Sequence, residues 1–214
     1  MFMYIFITNI DICPYNDNLL KNMLTLEKYQ LVKKNKQSTC GYMLVSYALQ
    51  NKYGYNNYKI KQNKNGKPYI DGFNNIFISI SHSNKYAVVA LDNKPCAIDI
   101  EKIHIVNDRV IKRVLSSKEY DWLYNYSEKE KIYDNFIKLW TMKESFIKIN
   151  GDSIFSGLNN ISLINNNRII EEYMGKQFKI YTIDDYIITS YGINNQKDQF
   201  IFYPEGWSKN INKM

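Results

Sequence analysis

The chain has 214 residues, 45% of them hydrophobic, a composition that predicts a globular protein with a sizeable core. Its formal charge of +7 favours anionic partners, but lysines occur throughout the chain, so the net charge alone does not indicate nucleic-acid binding. The three cysteines form no CxxC pair, which argues against a disulfide framework or a zinc site, and no apolar run approaches the roughly 18 residues of a membrane span. We therefore expect a soluble, cytoplasmic protein.

Residues 1–95 are predicted to form one α+β half. The opening MFMYIFITNIDI is apolar at its start and predicts a strand, and the basic stretch at residues 19–36 indicates a helix or a loop. Ser38 is the expected N-cap of the next helix, and Gly54 is its expected C-cap. After the turn NGKP, the segments NIFISIS and KYAVVALD predict a hairpin around residues 81–84.

Residues 96–214 are predicted to form a second α+β half. CAIDIEKI predicts a third strand that follows the hairpin. Ser116 and Glu119 have the spacing of a capping box, and a long helix is expected from about Glu128 to Asn150. The remainder alternates short apolar runs with turns and is expected to be mostly β. The predicted fold class is therefore α+β, with two similar halves.

Carboxylates occur at chemically suggestive positions in two of these elements. Asp99 and Glu101 alternate with isoleucines, so they point to one face of the strand. On the long helix Glu144 and Lys148 lie one turn apart, directly after an apolar row that ends in Trp140. A solvated strand edge and an exposed ion pair are the simpler interpretations. Together, however, the three carboxylates form an oxygen-only ligand set, which suits Mg²⁺ and a phosphate-containing substrate.

Four segments, in chain order, resemble the signature of the 4′-phosphopantetheinyl transferases. AIDIEKI is similar to the family pattern (G/A)-(I/V)-D-(I/V)-E, and LWTMKESFIKING is similar to W-(S/T)-x-K-E-(S/A)-x-x-K. NGKPYI and ISISHSNKYAVVALD are similar to the family's Gly-Lys-Pro turn and Ser-His-Ser hairpin. The length and the two halves resemble the surfactin-synthetase-activating type, which is a monomer of two similar α+β halves with the active site at their seam.

The resemblance implies transfer of phosphopantetheine from coenzyme A to a serine of an apo acyl- or peptidyl-carrier protein, which leaves adenosine 3′,5′-bisphosphate. It implies that Asp99, Glu101 and Glu144 hold Mg²⁺, or Mn²⁺, against the pyrophosphate. Glu144 or Glu101 would accept the serine proton, and Lys148 would neutralise the departing phosphate.

The resemblance also implies a site for the nucleotide end of coenzyme A in the N-terminal half. Gln37 lies nearest to the place where family members often have an arginine, and Lys33, Lys34 or Lys36 is expected to replace that charge. The residues that match family positions for coenzyme A are Lys67, Ser81 and His82, with Lys143 adding positive charge.

Two other functions use some of the same residues. A nucleic-acid-binding module would use the lysines, with some of the 19 tyrosines as stacking platforms, but it gives no role to the three carboxylates. A hydrolase would use Gly151-Asp152-Ser153 with His82 or His104, but the chain has no GxSxG elbow and no later histidine. His104 by itself is interpreted as a surface residue.

Overall fold

The computed structural model describes residues 2–150, 157–193 and 197–214. The first elements are β1 (Phe2–Asn9), α1 (Asp17–Met23), α2 (Leu26–Val32), α3 (Lys36–Tyr53), β2 (Ile60–Gln62), β3 (Pro68–Ile70), β4 (Phe77–Ser83) and β5 (Tyr86–Asp92). They are followed by β6 (Ala97–Lys102), α4 (Asp108–Val114), α5 (Ser117–Asn125), α6 (Ile132–Asn150), β7 (Ile164–Asn165), β8 (Arg168–Ile169), β9 (Glu172–Tyr173), β10 (Lys176–Ile183), β11 (Tyr186–Ile193), β12 (Lys197–Tyr203) and β13 (Asn212–Lys213). The predicted α+β class is confirmed. None of the helices in the described ranges is long and apolar enough to cross a membrane.

The first sheet has the strand order β12-β1-β5-β4 and is covered on one face by α3. β1 runs antiparallel to β5 and parallel to β12. Leu44, Val45 and Leu49 of α3 are fully buried in a cluster that also contains Val89 and Leu91 of β5. Because α3 packs along both β4 and β5, the start of the helix lies beside the end of β4.

The second sheet has the strand order β13-β10-β11-β6, and α6 packs against β11 and β6. Two hydroxyl contacts secure α6 on β11. Thr141 Oγ1 lies 2.7 Å from Thr189 Oγ1, and Ser145 donates to the Thr189 carbonyl at 3.0 Å. The end of the helix row that contains Glu144 and Lys148 is thereby directed towards β6.

The two sheets meet at a seam formed by their outer strands, β4 and β6. One buried cluster spans it, with Ile5 and Val88 from the first sheet and Ile98 and Ile188 from the second. CAIDIEKI is confirmed as a strand, and it pairs with β11 in the second sheet. β12 comes from the predicted C-terminal half but pairs with β1 in the first sheet, and the division between residues 1–95 and 96–214 stays a prediction.

Several element boundaries differ from those predicted. α3 begins at Lys36 because Asn35 Oδ1, rather than the Ser38 side chain, caps the helix by accepting the Ser38 N–H at 2.9 Å. Gly54 is the C-cap, in the left-handed conformation that favours glycine. The basic stretch forms α1 and α2, with a break that Thr25 caps. The long helix begins at Ile132, after a 3-10 turn, Lys129–Lys131. The capping box at Ser116 and Glu119 and the first strand are confirmed.

The described residues beyond 157 are mostly short and long strands, as the sequence predicts. Gly151-Asp152-Ser153, on which the hydrolase alternative depends, lies outside the described residues. His104 is exposed, and its Nδ1 lies 2.7 Å from the Lys102 carbonyl oxygen. A surface position for His104 is therefore confirmed.

Candidate active site at the seam between the sheets

Lys148 joins α6 to the seam. Its Nζ donates to Asp99 Oδ1 at 2.6 Å, to Ser81 Oγ at 3.0 Å and to the Ile98 carbonyl at 3.3 Å. The Lys148 side chain is 23% exposed and the Asp99 side chain 7%. The solvated-edge interpretation of Asp99 is therefore wrong, because the strand edge that bears it is covered by β4 and α6.

Glu144 lies one turn before Lys148 and is 6% exposed, so the exposed Glu–Lys pair is not formed. Burial, the largest cause, and the nearby charges of Asp99 and Glu101 together raise the pKa of the Glu144 carboxyl to about 7, against the opposing effect of Lys148. Its Oε1 is buried without a hydrogen-bond partner among the described residues. A buried, unpaired carboxylate oxygen is costly, which makes it a marker for an absent ligand or proton.

Glu101 is half-buried at the same seam. Its Oε1 accepts from Ser83 Oγ at 2.7 Å and from the Lys102 N–H at 3.0 Å. Within the described ranges no group of three His, Cys, Asp or Glu side chains is arranged as a ready-made metal site. Asp99 is occupied by Lys148, and Glu101 by Ser83.

The donor set nonetheless fits a hard divalent cation. Asp99, Glu101 and Glu144 supply only oxygen, and the two strand carboxylates are close enough to perturb the pKa of the helix carboxyl. The Oε1 of Glu144 has no hydrogen-bond partner among the described residues. No donor group of these residues therefore competes with a cation for this oxygen.

Two of the residues predicted to bind the nucleotide end lie together at the end of β4. His82 follows Ser81, and its Nε2 lies 3.4 Å from Ser38 Oγ in α3. Burial lowers the pKa of His82, and Lys148 lowers it further. Gln37 Nε2 donates to the Asn84 carbonyl at 3.2 Å, so the start of α3 contacts the hairpin turn directly.

Lys67 reaches the seam from the β2–β3 hairpin. Its Nζ donates to the Ile149 carbonyl at 2.8 Å, near the end of α6, and burial lowers its pKa. A cavity of about 370 Å³ lies beside it, lined also by Tyr69 and Phe73. A second cavity, of about 340 Å³, lies beside Glu144 and Trp140.

Lys33 and Lys34 lie at the end of α2 and are exposed. Lys33 Nζ lies 5.0 Å from the centre of the Tyr29 ring, and Lys36 pairs with Asp11 at 3.1 Å. Over the described ranges, no hydrogen bond or ion pair joins these three lysines to Ser81, His82 or Lys67. The structure therefore leaves the replacement of the family arginine as a prediction.

Lys143 does not face the seam, and its predicted contact with coenzyme A is corrected. Its side chain is fully buried and pairs with the equally buried Glu119 at 2.5 Å. It also donates to the carbonyls of Val114, Leu158 and Ile161, each at 2.9 Å. Because all its donors are satisfied inside the protein, Lys143 is a structural residue that ties α6 to α5 and the 3-10 turn at Leu158–Asn160.

Sequence reasoning missed two polar residues of the site. Ser83 donates to Glu101, and the alternation in ISISHS could have placed it on the face of Ser81. Ser38 was predicted only as a helix cap, and its contact with His82 depends on the packing of α3 against β4, for which the sequence has no local signal.

Part of the chain matches a known protein family. Residues 95–190, which contain β6 and α6, match the family model described as the 4′-phosphopantetheinyl transferase superfamily. This match places that part of the chain in the superfamily, so the family that the four motifs indicate is confirmed.

Named relatives are also 4′-phosphopantetheinyl transferases. The chain is 31% identical over 150 residues to the transferase gsp of Aneurinibacillus migulanus, which is 66% of this chain and 62% of the relative. It is 30% identical over 139 residues to psf-1 of Bacillus pumilus, covering 64% of this chain and 59% of the relative. Identity to Sfp of Bacillus subtilis strain 168 is 38% over 98 residues, 46% and 43% of the two chains. The chain thus spans about two fifths to three fifths of these relatives.

Proposed function

We propose that the protein transfers the 4′-phosphopantetheine group of coenzyme A to a serine of an apo acyl- or peptidyl-carrier protein. The observation that supports this best is the convergence of Asp99, Glu144 and Lys148 at the seam, because residues far apart in the chain form one cluster of oxygen ligands beside a cation. Neither the family model nor the named relatives support the nucleic-acid-binding alternative. We further propose that the protein acts as a cytoplasmic monomer.

Asp99, Glu101 and Glu144 would hold Mg²⁺, or Mn²⁺. When bound, the ion would offset negative charge on the pyrophosphate of coenzyme A. Lys148 already pairs with Asp99. When coenzyme A binds, Lys148 would donate a hydrogen bond to a phosphate oxygen of the leaving group.

Glu144 is the residue that we assign to the serine proton. Its Oε1 has no competing donor among the described residues, and in the metal-free protein burial raises the pKa of the carboxyl to about 7, so it is a stronger base than an ordinary glutamate. Glu101 is less suited to this role because its Oε1 already accepts two hydrogen bonds.

The experiment that tests the function is intact mass analysis of several apo-carrier proteins after incubation with coenzyme A, Mg²⁺ and this protein. We expect each accepted carrier to gain one phosphopantetheine, and we expect excess EDTA to abolish the gain. A carrier whose acceptor serine is replaced by alanine is the control. If no carrier gains mass with either Mg²⁺ or Mn²⁺, the proposed function is wrong. If transfer is complete in excess EDTA, the proposed metal requirement is wrong.

His82 is proposed to bind the 3′-phosphate of coenzyme A, whereas Ser81, which the resemblance also assigns to this end, already donates its hydroxyl proton to Asp99. We expect His82→Ala to raise the Michaelis constant for coenzyme A by at least about tenfold, because a charge-assisted hydrogen bond to phosphate contributes about 1.5–3 kcal/mol. Dephospho-coenzyme A lacks this phosphate, so its Michaelis constant should hardly change. An equal effect on both substrates would show that His82 only packs against Ser38.

A further inference from the structure

Among the described residues, the seam between the two sheets is joined by side chains, and no backbone hydrogen bond pairs β4 with β6. Three serines alternate along β4 and face β6, and each hydroxyl oxygen accepts one backbone N–H from that strand. The pairs are Ile98 N–H to Ser79 Oγ at 3.1 Å, Ile100 N–H to Ser81 Oγ at 3.4 Å and Lys102 N–H to Ser83 Oγ at 3.2 Å. We call Ser79, Ser81 and Ser83 the serine ladder.

The serine ladder provides acceptors for backbone N–H groups of β6 that the sheet topology leaves unpaired. β6 is an outer strand of its sheet, so alternate N–H groups point away from β11, and at the seam they are covered by β4. Buried backbone donors need acceptors, and an unpaired one costs about 1–3 kcal/mol. A serine at every second position of β4 supplies one acceptor per exposed N–H, because the side-chain period of a strand is two.

Each hydroxyl that accepts a hydrogen bond can also donate one, and two of the three donate to predicted metal ligands. Ser81 donates to Asp99 Oδ1 at 2.6 Å, and Ser83 donates to Glu101 Oε1 at 2.7 Å. The residue that corresponds to Asp99 and Glu101 at the level of Ser79 is Ala97, which has no carboxylate. The same strand alternation therefore couples the joint between the sheets to the orientation of the carboxylates.

We propose that the serine ladder holds the two sheets together at the active site and that Ser83 is a positioning residue for Glu101. The second part rests on the proposed function, since it takes Glu101 to be a metal ligand. Ser83 is 6% exposed and is held on both sides, by the Lys102 N–H and by the Glu101 carboxylate, so its hydroxyl fixes one oxygen of Glu101 relative to β4. Outer-shell hydrogen bonds of this kind orient carboxylate ligands.

Ser79→Ala tests the joint without touching a carboxylate. The Ile98 N–H then loses its acceptor, and we expect its hydrogen exchange, measured by NMR in the metal-free protein, to become at least about tenfold faster. Ser83→Ala should leave exchange at Ile98 unchanged. If Ile98 exchanges at the same rate in wild type and in Ser79→Ala, the serine ladder does not join the sheets.

Calorimetric titration with Mn²⁺ alone tests the positioning role. We expect Ser83→Ala to weaken Mn²⁺ binding by about tenfold, and Ser79→Ala, which removes an equivalent hydroxyl from the same strand, to change it less than about twofold. Equal weakening in the two variants would overturn the positioning role, because it would reflect general loosening of the seam. If wild type binds no Mn²⁺, the metal site and the positioning role fall together, whereas exchange at Ile98 still decides the joint.

Discussion

At the residue scale, two neighbours on α6 show how position on a helix decides chemistry. Lys143 and Glu144 are both buried, but they are about 100° apart around the helix axis. Lys143 points to the interior of its own half, where Glu119 and three carbonyls satisfy it. Glu144 points to the seam, where one carboxylate oxygen has no partner among the described residues. Lys143 therefore contributes to stability, whereas Glu144 keeps a carboxylate oxygen available for chemistry.

We expect the burial of Glu144 to make stability depend on pH. Its pKa in the folded protein, about 7, is above the ordinary value of 4.5, so its favourable contribution is complete below 4.5 and is lost as the pH rises to about 7. Glu144→Gln removes this loss. Thermal unfolding in EDTA should give similar Tm values for both proteins at pH 4.5, and at pH 8 the variant should be higher by about 5–10 °C.

Glu128→Gln is the matched control for that measurement, because Glu128 is a surface residue that is 69% exposed. Its Tm difference from wild type should vary little between pH 4.5 and pH 8. If the Glu144→Gln difference is equally constant, the Glu144 carboxyl is not buried as described.

Lys143 and Lys148 are expected to separate stability from activity. Lys143→Met leaves Glu119 buried without its cation, at a cost of about 3–5 kcal/mol, so Tm should fall by at least about 6 °C. Lys148→Met affects a partly exposed side chain, so it should abolish most transfer with a smaller change in Tm.

Both variants are compared by thermal unfolding and by carrier mass analysis. Lys143→Met with Glu119→Gln should recover part of the lost stability, because the buried carboxylate is then removed. A Lys143→Met variant with unchanged Tm and a raised Michaelis constant for coenzyme A would restore the role that the sequence predicted for Lys143.

At the element scale, the contact between α3 and β4 brings Ser38 of the helix to His82 of the hairpin. Gly41 makes this contact possible, because a Cβ at that position would lie 2.8 Å from Ile80 Cγ2. Helix propensity by itself would favour alanine there by about 1 kcal/mol. A glycine inside α3 is thus explained by close packing against the sheet and not by backbone conformation.

We expect Gly41→Ala to lower Tm by a few degrees, since overpacking costs about 1–3 kcal/mol and exceeds the gain in helix propensity. Gln50→Ala, at an exposed position of the same helix, should leave Tm nearly unchanged. In the double variant with Ile80→Ala the two losses should be less than additive. Strict additivity, measured by thermal unfolding, would mean that the new Cβ does not meet Ile80.

At the scale of the whole molecule, β12 makes the two sheets one structural unit. It pairs with β1 in the first sheet, while its residue Asp198 accepts hydrogen bonds from Lys179 at 3.0 Å and from Tyr181 at 3.1 Å, both on β10 of the second sheet. Ser190 of β11 also donates to Asp198. β12 is therefore hydrogen-bonded to the first sheet through its backbone and to the second sheet through the Asp198 side chain.

We expect Asp198→Asn to lower the Tm of the whole protein without splitting its unfolding. The carboxylate is fully buried, and loss of its charge weakens three hydrogen bonds across the sheets, each to a charged acceptor and worth about 1.5–3 kcal/mol at most. Differential scanning calorimetry should show one transition at a lower temperature. Asp185→Asn, at an exposed ion pair with Lys102, is the control and should shift Tm by less than about 2 °C. Two resolved transitions would show that the halves unfold independently.

The local features of this fold were predictable because they depend on short stretches of sequence. The alternation of CAIDIEKI gave a strand, the apolar row of α6 gave a helix, and Ser116 with Glu119 gave a capping box. The N-cap of α3 was misplaced by three residues, since Asn35 and Ser38 are both good caps and the choice depends on where packing stops the helix.

The sequence by itself therefore determined the α+β class, the family and the identity of Asp99, Glu101, Glu144 and Lys148 as candidate site residues, because strand alternation, helical spacing and the four motifs are local properties. Only the tertiary structure decided what these residues contact. Lys148 pairs with Asp99 and not with Glu144, Lys143 turns inward to Glu119, and β12 crosses to the first sheet. Such outcomes depend on which surfaces two distant segments bury against each other, and that competition between long-range contacts leaves no periodic signal in either segment.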